Sequence, residues 1–351
     1  NFVLNALDGN SIALKAENVR AKVDFINRKG EFVSNEGVSK TELPFLQYSC
    51  YVDKFAWDMD NKQLALVDTQ SPKVEGFASK NIRELVDLEQ PGAKFVSSHP
   101  NQGGLHFNSS KATLDLNENK LLADEVYLIK CADAGVRPAD GKITIYPGAQ
   151  MDTLENATIL ANTESKLHEY RNARIHIASS QIYSANAYID YVDEDGKKHP
   201  VFISELNPLS GQSVGKGDIT RDSSLALSSA FNFFGKVTVN AQDSNFHFDG
   251  GVQISANCND KQAAWIKFSA PIDPQSIYIP VSEAPVDIEN NRITASVLFN
   301  EDNFEPKIAF LTSDTEGDNV MLSTKGYLTY DKAKKNYIIA SKQKLEDFEQ
   351  M

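Results

Sequence analysis

Short apolar runs, each followed by a few Asp, Asn and Lys residues and then a second apolar run, recur along this chain. Phe55–Leu66 (FAWDMDNKQLAL) is the first such unit and Ala112–Ala123 (ATLDLNENKLLA) the second. Tyr188–Lys197, leading on to Val201-Phe202-Ile203, is the third, and Tyr327–Ile339 the fourth. Each reads as strand, polar turn and returning strand, so together they predict a β-meander. Elsewhere Ser11–Ala16 and Ala21–Ile26 alternate with period two, the second followed by the turn Asn27-Arg28-Lys29-Gly30. That period puts one face of each strand on a core and the other in water. In the first unit Phe55, Trp57 and Met59 share a face, while Ala56, Asp58 and Asp60 take the other. A slip of one residue would bury the aspartates, so the register is firmly set.

The pattern predicts an all-β protein of repetitive, mostly antiparallel strands, as a β-stack or tandem β-sandwich units with one or two short helices. β repeat units are expected over residues 1–76, 105–209 and 223–351. Residues 77–104 read as a linker with a short helix over 79–88. There Ser79 can cap and Ile82, Leu85 and Val86 fall on one face before Pro91-Gly92. Ser97–Gly104 reads as loop, and Ser210–Asp218 marks a Gly/Ser-rich linker over 210–222. Residues 342–351 read as a short terminal helix. Two echoes, Asn156-Ala157-Thr158-Ile159 and Asn172-Ala173-Arg174-Ile175, suggest stacked strands with a shared interior.

The length, 351 residues, supports a large core in two or three domains. The net charge of -13, with no basic run interleaved with aromatics, argues against nucleic acid and against a bare anionic membrane surface. No segment has the ~20 apolar residues of a membrane helix. The chain opens on Asn1, not Met, inside the apparent strand Phe2-Val3-Leu4, which reads as a processed or trimmed chain.

Candidate chemistry is sparse. Cys50, Cys131 and Cys258 are far apart and lack metal-ligand spacing; Cys50 and Cys131 sit in apolar strands and read as buried thiols, and the sequence leaves open whether any two pair. Asp190, Asp193, Asp195 and Gly196 imitate part of a calcium loop, but the twelve-residue spacing and closing Glu are missing, so a hairpin turn is the better reading. His176 and His247 alternate with apolar neighbours and read as solvent-facing. There is no zincin pattern, no nucleophile elbow and no phosphate cradle; Gly211–Gly217 lacks the strand-then-helix context. Proximity of Cys258 to His247 in sequence does not make a Cys–His pair, and the acids Glu283, Asp287 and Glu289 beside an apolar strand read as a solvated loop. Trp57 and Trp265 read as core, with sugar stacking the alternative. No cofactor, metal or catalytic residue is expected.

The segments Phe55–Met59, Leu105–Val126, Ala132–Pro138, Tyr183–Val192 and Trp265–Pro274 resemble large uncharacterised cell-envelope proteins of Bacteroidetes-type Gram-negative bacteria. The apolar–Asp–turn–Lys–apolar units are similar, more distantly, to the OstA-like repeats of periplasmic lipopolysaccharide-transport proteins. The resemblance implies a stack of antiparallel strands, a periplasmic or outer-envelope location, and an internal fragment of a longer chain. It also implies a non-enzymatic scaffold or binding module whose partner is a lipid, a glycan or an envelope protein. In an apolar groove, Phe55, Trp57, Met59, Leu114 and Leu116 would be lining residues. The alternative is a carbohydrate-active or glycan-binding module on a β-helix or jelly-roll scaffold.

Overall fold

The computed structural model describes residues 1–7, 9, 11–71, 76–255, 263–300, 305–312 and 318–349. Strands dominate it, antiparallel throughout the pairings described, and the α-helices are short. Two compact units divide the chain: residues 1–189 with 205–214, and residues 190–204 with 215–351.

In the first unit the chain lays hairpins alternately into two sheets. One sheet has eight strands: β1 (Val19–Asp24), β2 (Lys29–Ser34), β3 (Lys54–Asp58), β4 (Gln63–Val67), β5 (Lys111–Asp115), β6 (Lys120–Asp124), β7 (Ile143–Tyr146) and β8 (Gln150–Met151). Their spatial order is their chain order, from β1 at one edge to β8 at the other. Between successive hairpins the chain visits the larger sheet, whose strands also pair with their neighbours in sequence, from Phe2–Asn5 through Tyr48–Val52, Ala93–Ser97 and Ile129–Cys131 to His168–Ser179.

Alternation along each strand becomes rows of side chains across each sheet. In the larger sheet the register aligns Thr41, Cys50, Phe95, Phe107, Ile129, Val136, Ile159 and Tyr170, and all eight are buried. In the eight-stranded sheet one inner row runs Ala21, Phe32, Phe55, Leu66, Ala112, Ala123 and Ile143. The next runs Val23, Gly30, Trp57, Leu64, Leu114, Leu121, Ile145 and Met151. Aromatic contacts join the sheets: the ring of Phe2, from the larger sheet, lies 4.1 Å from Phe32 and 5.8 Å from Phe55. Burying a side chain of this size contributes about 1.5–3 kcal/mol, so the rows are the main cohesive element.

The echoed Asn-Ala pairs are facing irregularities in adjacent strands. Asn156 and Asn172 take positive φ of 54° and 51°, and the Ala that follows each pairs with the other across the ladder. The expected helix is a single turn, Ile82–Leu85, capped by Asn81 and not Ser79: the Asn81 side chain accepts from Glu84 N–H, and Glu84 returns a bond to Asn81 N–H. Within 77–104, Ala93–Ser97 is a full sheet strand. Residues 210–222, read as a linker, contain the strand Gln212–Ile219, because Gly215 and Gly217 lie extended; Ser213 anchors it by donating both N–H and hydroxyl to Asp133.

The second unit is built on the long strands Phe231–Asn240, Phe246–Ile254 and Ile266–Ile272, with Phe233, Phe248 and Phe268 at its centre. Two three-stranded sheets follow, and the chain reaches the terminal helix Lys342–Glu349 where the sequence placed one.

Candidate functional site

Three hairpins of the eight-stranded sheet turn in the same way. Asp24, Asp58 and Asp115 each end an inbound strand and pair across a four-residue loop with Lys29, Gln63 and Lys120. Each Asp carboxylate folds over its own loop. Asp24 accepts from Ile26 and Asn27 N–H, Asp58 from Asp60 and Asn61 N–H, and Asp115 from Asn117 and Glu118 N–H. The fourth residue after each Asp (Arg28, Lys62, Asn119) has φ of 51–54°, the left-handed value that closes the loop. The turn N–H groups hold the Asp24 and Asp58 carboxyls below the usual carboxylate range. Burial pushes Asp115 up, but the Glu118 N–H, the Gln63 amide and the Asn117 N–H outweigh it and leave its pKa lowered.

The turns also bond to one another. Met59 N–H donates to Arg28 C=O at 3.0 Å, and Leu116 N–H donates to Lys62 C=O at 3.0 Å. The residue after each Asp therefore bonds to the left-handed residue of the preceding turn. Asn117 Nδ2 to Asn61 C=O at 3.1 Å and Arg28 Nε to Asp60 at 2.5 Å add side-chain links.

This ladder has two unlike ends. Carrying the β6–β7 register two positions onward sets Pro147 against Asn119, where Met59 and Leu116 stand in the earlier steps. Proline has no N–H, so the ladder stops there, and the last strand, β8, is two residues long. At the other end Phe25 occupies the same position. No strand lies outside β1 among the described residues, and no carbonyl faces Phe25 N–H. Phe25 is 80% exposed, Met59 is half-buried and Leu116 is 3% exposed, so burial grows with each turn stacked before it. Ile26 is 93% exposed beside Phe25, and Val23, on the inner row, is 36% exposed. β1 is six residues in unbroken register, with no Pro and no bulge. Natural sheets blunt such edges; β8 is blunted by its length and by Pro147, whereas β1 carries the charges of Arg20 and Lys22 but neither proline nor bulge.

The expected groove residues divide at this same end. Phe55, Leu114 and Leu116 are in the packed interior, whereas Trp57 and Met59 are half-exposed. The Trp57 indole N–H is buried without an acceptor among the described residues. Trp265 lies half-buried and edge-on to Phe234 (4.8 Å), with the Arg221 guanidinium 5.6–5.7 Å from both rings.

The remaining candidates are structural. Asp193 accepts from Asp195 and Lys197 N–H and pairs with His199 Nε2 at 2.7 Å, while Gly196 takes φ +79°; this is a hairpin turn of a different kind from the Asp24 class. Asp287 likewise folds over its turn, accepting from Glu289 and Asn291 N–H, and Glu283 pairs with Lys325. His176 is exposed, and half-buried His247 bonds to the Ser269 hydroxyl. Cys50 and Cys131 are free and buried, and burial pushes both thiols up to about 12; Cys258 lies outside the described residues. No group of three or more His, Cys, Asp or Glu among the described residues is placed to hold a metal ion.

A 490 Å3 cleft gathers Lys111, Asp124, Glu125, Arg137 and Asp140 beside Tyr127. Its charges have partners: Lys111 pairs with Glu125 at 2.6 Å, Asp124 with Lys142 at 4.0 Å, and Arg137 donates to Lys80 and Ala78 C=O. Asp140 accepts from Lys142 N–H.

Sequence reasoning singled out the Asp58 and Asp115 units and a turn at Asn27-Arg28-Lys29-Gly30, but that turn spans Phe25–Arg28, with Lys29 and Gly30 already in β2, and the roles of Asp24, Phe25 and Pro147 were missed. The available signal was the recurrence of Asp, three residues, and a left-handed Arg, Lys or Asn at 24–28, 58–62 and 115–119, and again at 331–335 in the Tyr327–Ile339 hairpin, where Asp331 accepts from Lys334 N–H and Lys335 takes φ of 54°. Comparison with protein-family models, curated proteins and solved structures finds no match to this chain.

Proposed function

We propose that this chain is a non-enzymatic β scaffold of the periplasm or outer envelope that joins a partner by strand addition at the free edge of β1. One observation carries this reading: the two edges of one sheet are treated oppositely, closed by Pro147 and a two-residue strand at β8 and left six residues long, without a bulge and, among the described residues, unpaired at β1. An unpaired strand supplies N–H and C=O groups for main-chain recognition, and alternate side chains supply specificity. Of lipid, glycan and envelope protein as partners, a protein strand fits best, because the inner rows beyond Trp57 are filled by this chain's own side chains. The resemblance to envelope proteins with OstA-like repeats agrees with a sheet extended by successive hairpins.

Native mass spectrometry with cross-linking, on the full chain recovered from envelope extracts, tests the proposal. A retained polypeptide linked to Lys22 is expected. Retained lipid or glycan, with no polypeptide at residues 19–25, would contradict it.

A second reading, a glycan-binding or carbohydrate-active module, has the charged cleft beside Tyr127 in its favour. Titration with neutral and acidic oligosaccharides, followed at Tyr127 by NMR, separates the two readings.

A further inference from the structure

The partner at β1 can be specified more closely than as a strand. The inference rests on the strand-addition reading and adds the identity of what is added. Within the chain, two of the three inbound strands that follow an Asp-turn hairpin meet it in one way; β7, with Pro147 at the contact position, does not. β3 meets the β1–β2 hairpin and β5 meets the β3–β4 hairpin, in each case through the residue after the Asp and the left-handed carbonyl before the outbound strand. β1 is itself an inbound strand of this class. Its Ala21-Lys22-Val23-Asp24-Phe25 occupies the positions of Ala112-Thr113-Leu114-Asp115-Leu116 in β5. Leu64 and Leu66 of β4 cover Leu114 and Ala112 there, and among the described residues nothing equivalent covers Val23 and Ala21.

We infer that the occupant of the β1 edge is another Asp-turn hairpin, docked by its outbound strand. Its left-handed residue would accept from Phe25 N–H, and its inner side chains would extend the rows over Val23 and Ala21. The interface is the continuation of one the chain already contains twice. The required partner has an Asp ending its inbound strand, a four-residue loop closed by a left-handed Lys, Arg or Asn, and apolar residues at the second and fourth positions after that residue, as Leu64 and Leu66 follow Lys62. A hairpin fits where a lone strand would not, because only the closed turn presents the carbonyl to Phe25 and covers the exposed Phe25 ring.

The test uses the full chain and three fluorescent peptides. The first carries Lys54–Val67 as a hairpin with its ends joined by an Asn-Gly turn, which favours the paired form. The second is the same sequence left linear, and the third is the closed peptide with Asp58→Ala. Binding is measured by anisotropy against the native chain and against Phe25→Pro. Proline suits the first position of such a loop and already stands at the matching place in Pro147, so the variant folds. The closed hairpin is expected to bind at least tenfold tighter than either other peptide, and Phe25→Pro to lose at least tenfold for the hairpin. Equal binding of all three peptides would overturn the hairpin inference and leave strand addition standing. Binding of none would overturn both, and hairpin binding unchanged by Phe25→Pro would overturn the proposed contact.

Discussion

The amide of Met59 donates to the carbonyl of Arg28 across 31 residues of chain, and the amide of Leu116 repeats the contact with Lys62. These two bonds turn separate hairpins into one ladder. A backbone hydrogen bond of this kind is worth about 1 kcal/mol net. Met59→Pro removes the donor at a loop position that tolerates proline. It is expected to lower unfolding free energy by about 1–2 kcal/mol in urea melts, while Phe25→Pro, with no bond to lose in the free chain, stays within about 0.5 kcal/mol of native. Equal effects of the two would show that the turns do not support each other.

Asp115 is buried and accepts from two loop N–H groups and the Gln63 amide. Asp115→Ala leaves those donors unmet and is expected to cost about 1–3 kcal/mol. Asp115→Asn keeps one acceptor oxygen and is expected to recover part of the loss.

The Asp24, Asp58 and Asp115 carboxyls all have lowered pKa values in the fold. A depressed folded pKa contributes stability that is fully present above the unfolded value, near 3.8, and is lost as pH falls through the folded one. Stability of the first unit is expected to hold from pH 7 to about 5 and then fall toward pH 2. In Asp58→Asn the fall is expected to be shallower, measured as urea midpoint against pH.

Much of this fold is legible in the sequence. Period-two alternation locates Phe55, Leu64, Leu66 and Leu114 on the inner face, and all are buried. What alternation lacks is a sheet address. It describes β3–β4 and the neighbouring Tyr48–Val52 strand alike, although they lie in different sheets, because assignment depends on which distant strands each pairs with. The Tyr188 unit resembles the others in composition, yet its turn is closed by Gly196, so the hydrogen-bond pattern around Asp193 differs. Phe25 and Ile26 read simply as the end of an alternating strand; their significance appears only when Met59 and Leu116 are seen in the same place, bonded and progressively covered. Ser79 offered a cap, but Asn81 is the residue from which Glu84 can complete a reciprocal box.

Burial raises the thiol pKa of Cys50 and Cys131 to about 12, so both are almost wholly protonated at pH 8. Neither is expected to react with iodoacetamide in the native chain over an hour, and both are expected to react in urea, as read by peptide mapping. Native labelling of Cys50 would place it outside the interior row.

Amide hydrogen exchange at Phe25, Met59 and Leu116, followed by NMR in the free chain and with the closed Lys54–Val67 hairpin, tests the ladder most directly. In the free chain Met59 and Leu116 are expected to be protected and Phe25 to exchange at close to the open-chain rate; saturation with the hairpin is expected to protect Phe25 as well. A Phe25 amide already protected in the free chain, or one still unprotected at saturation, would contradict an open ladder that ends at β1.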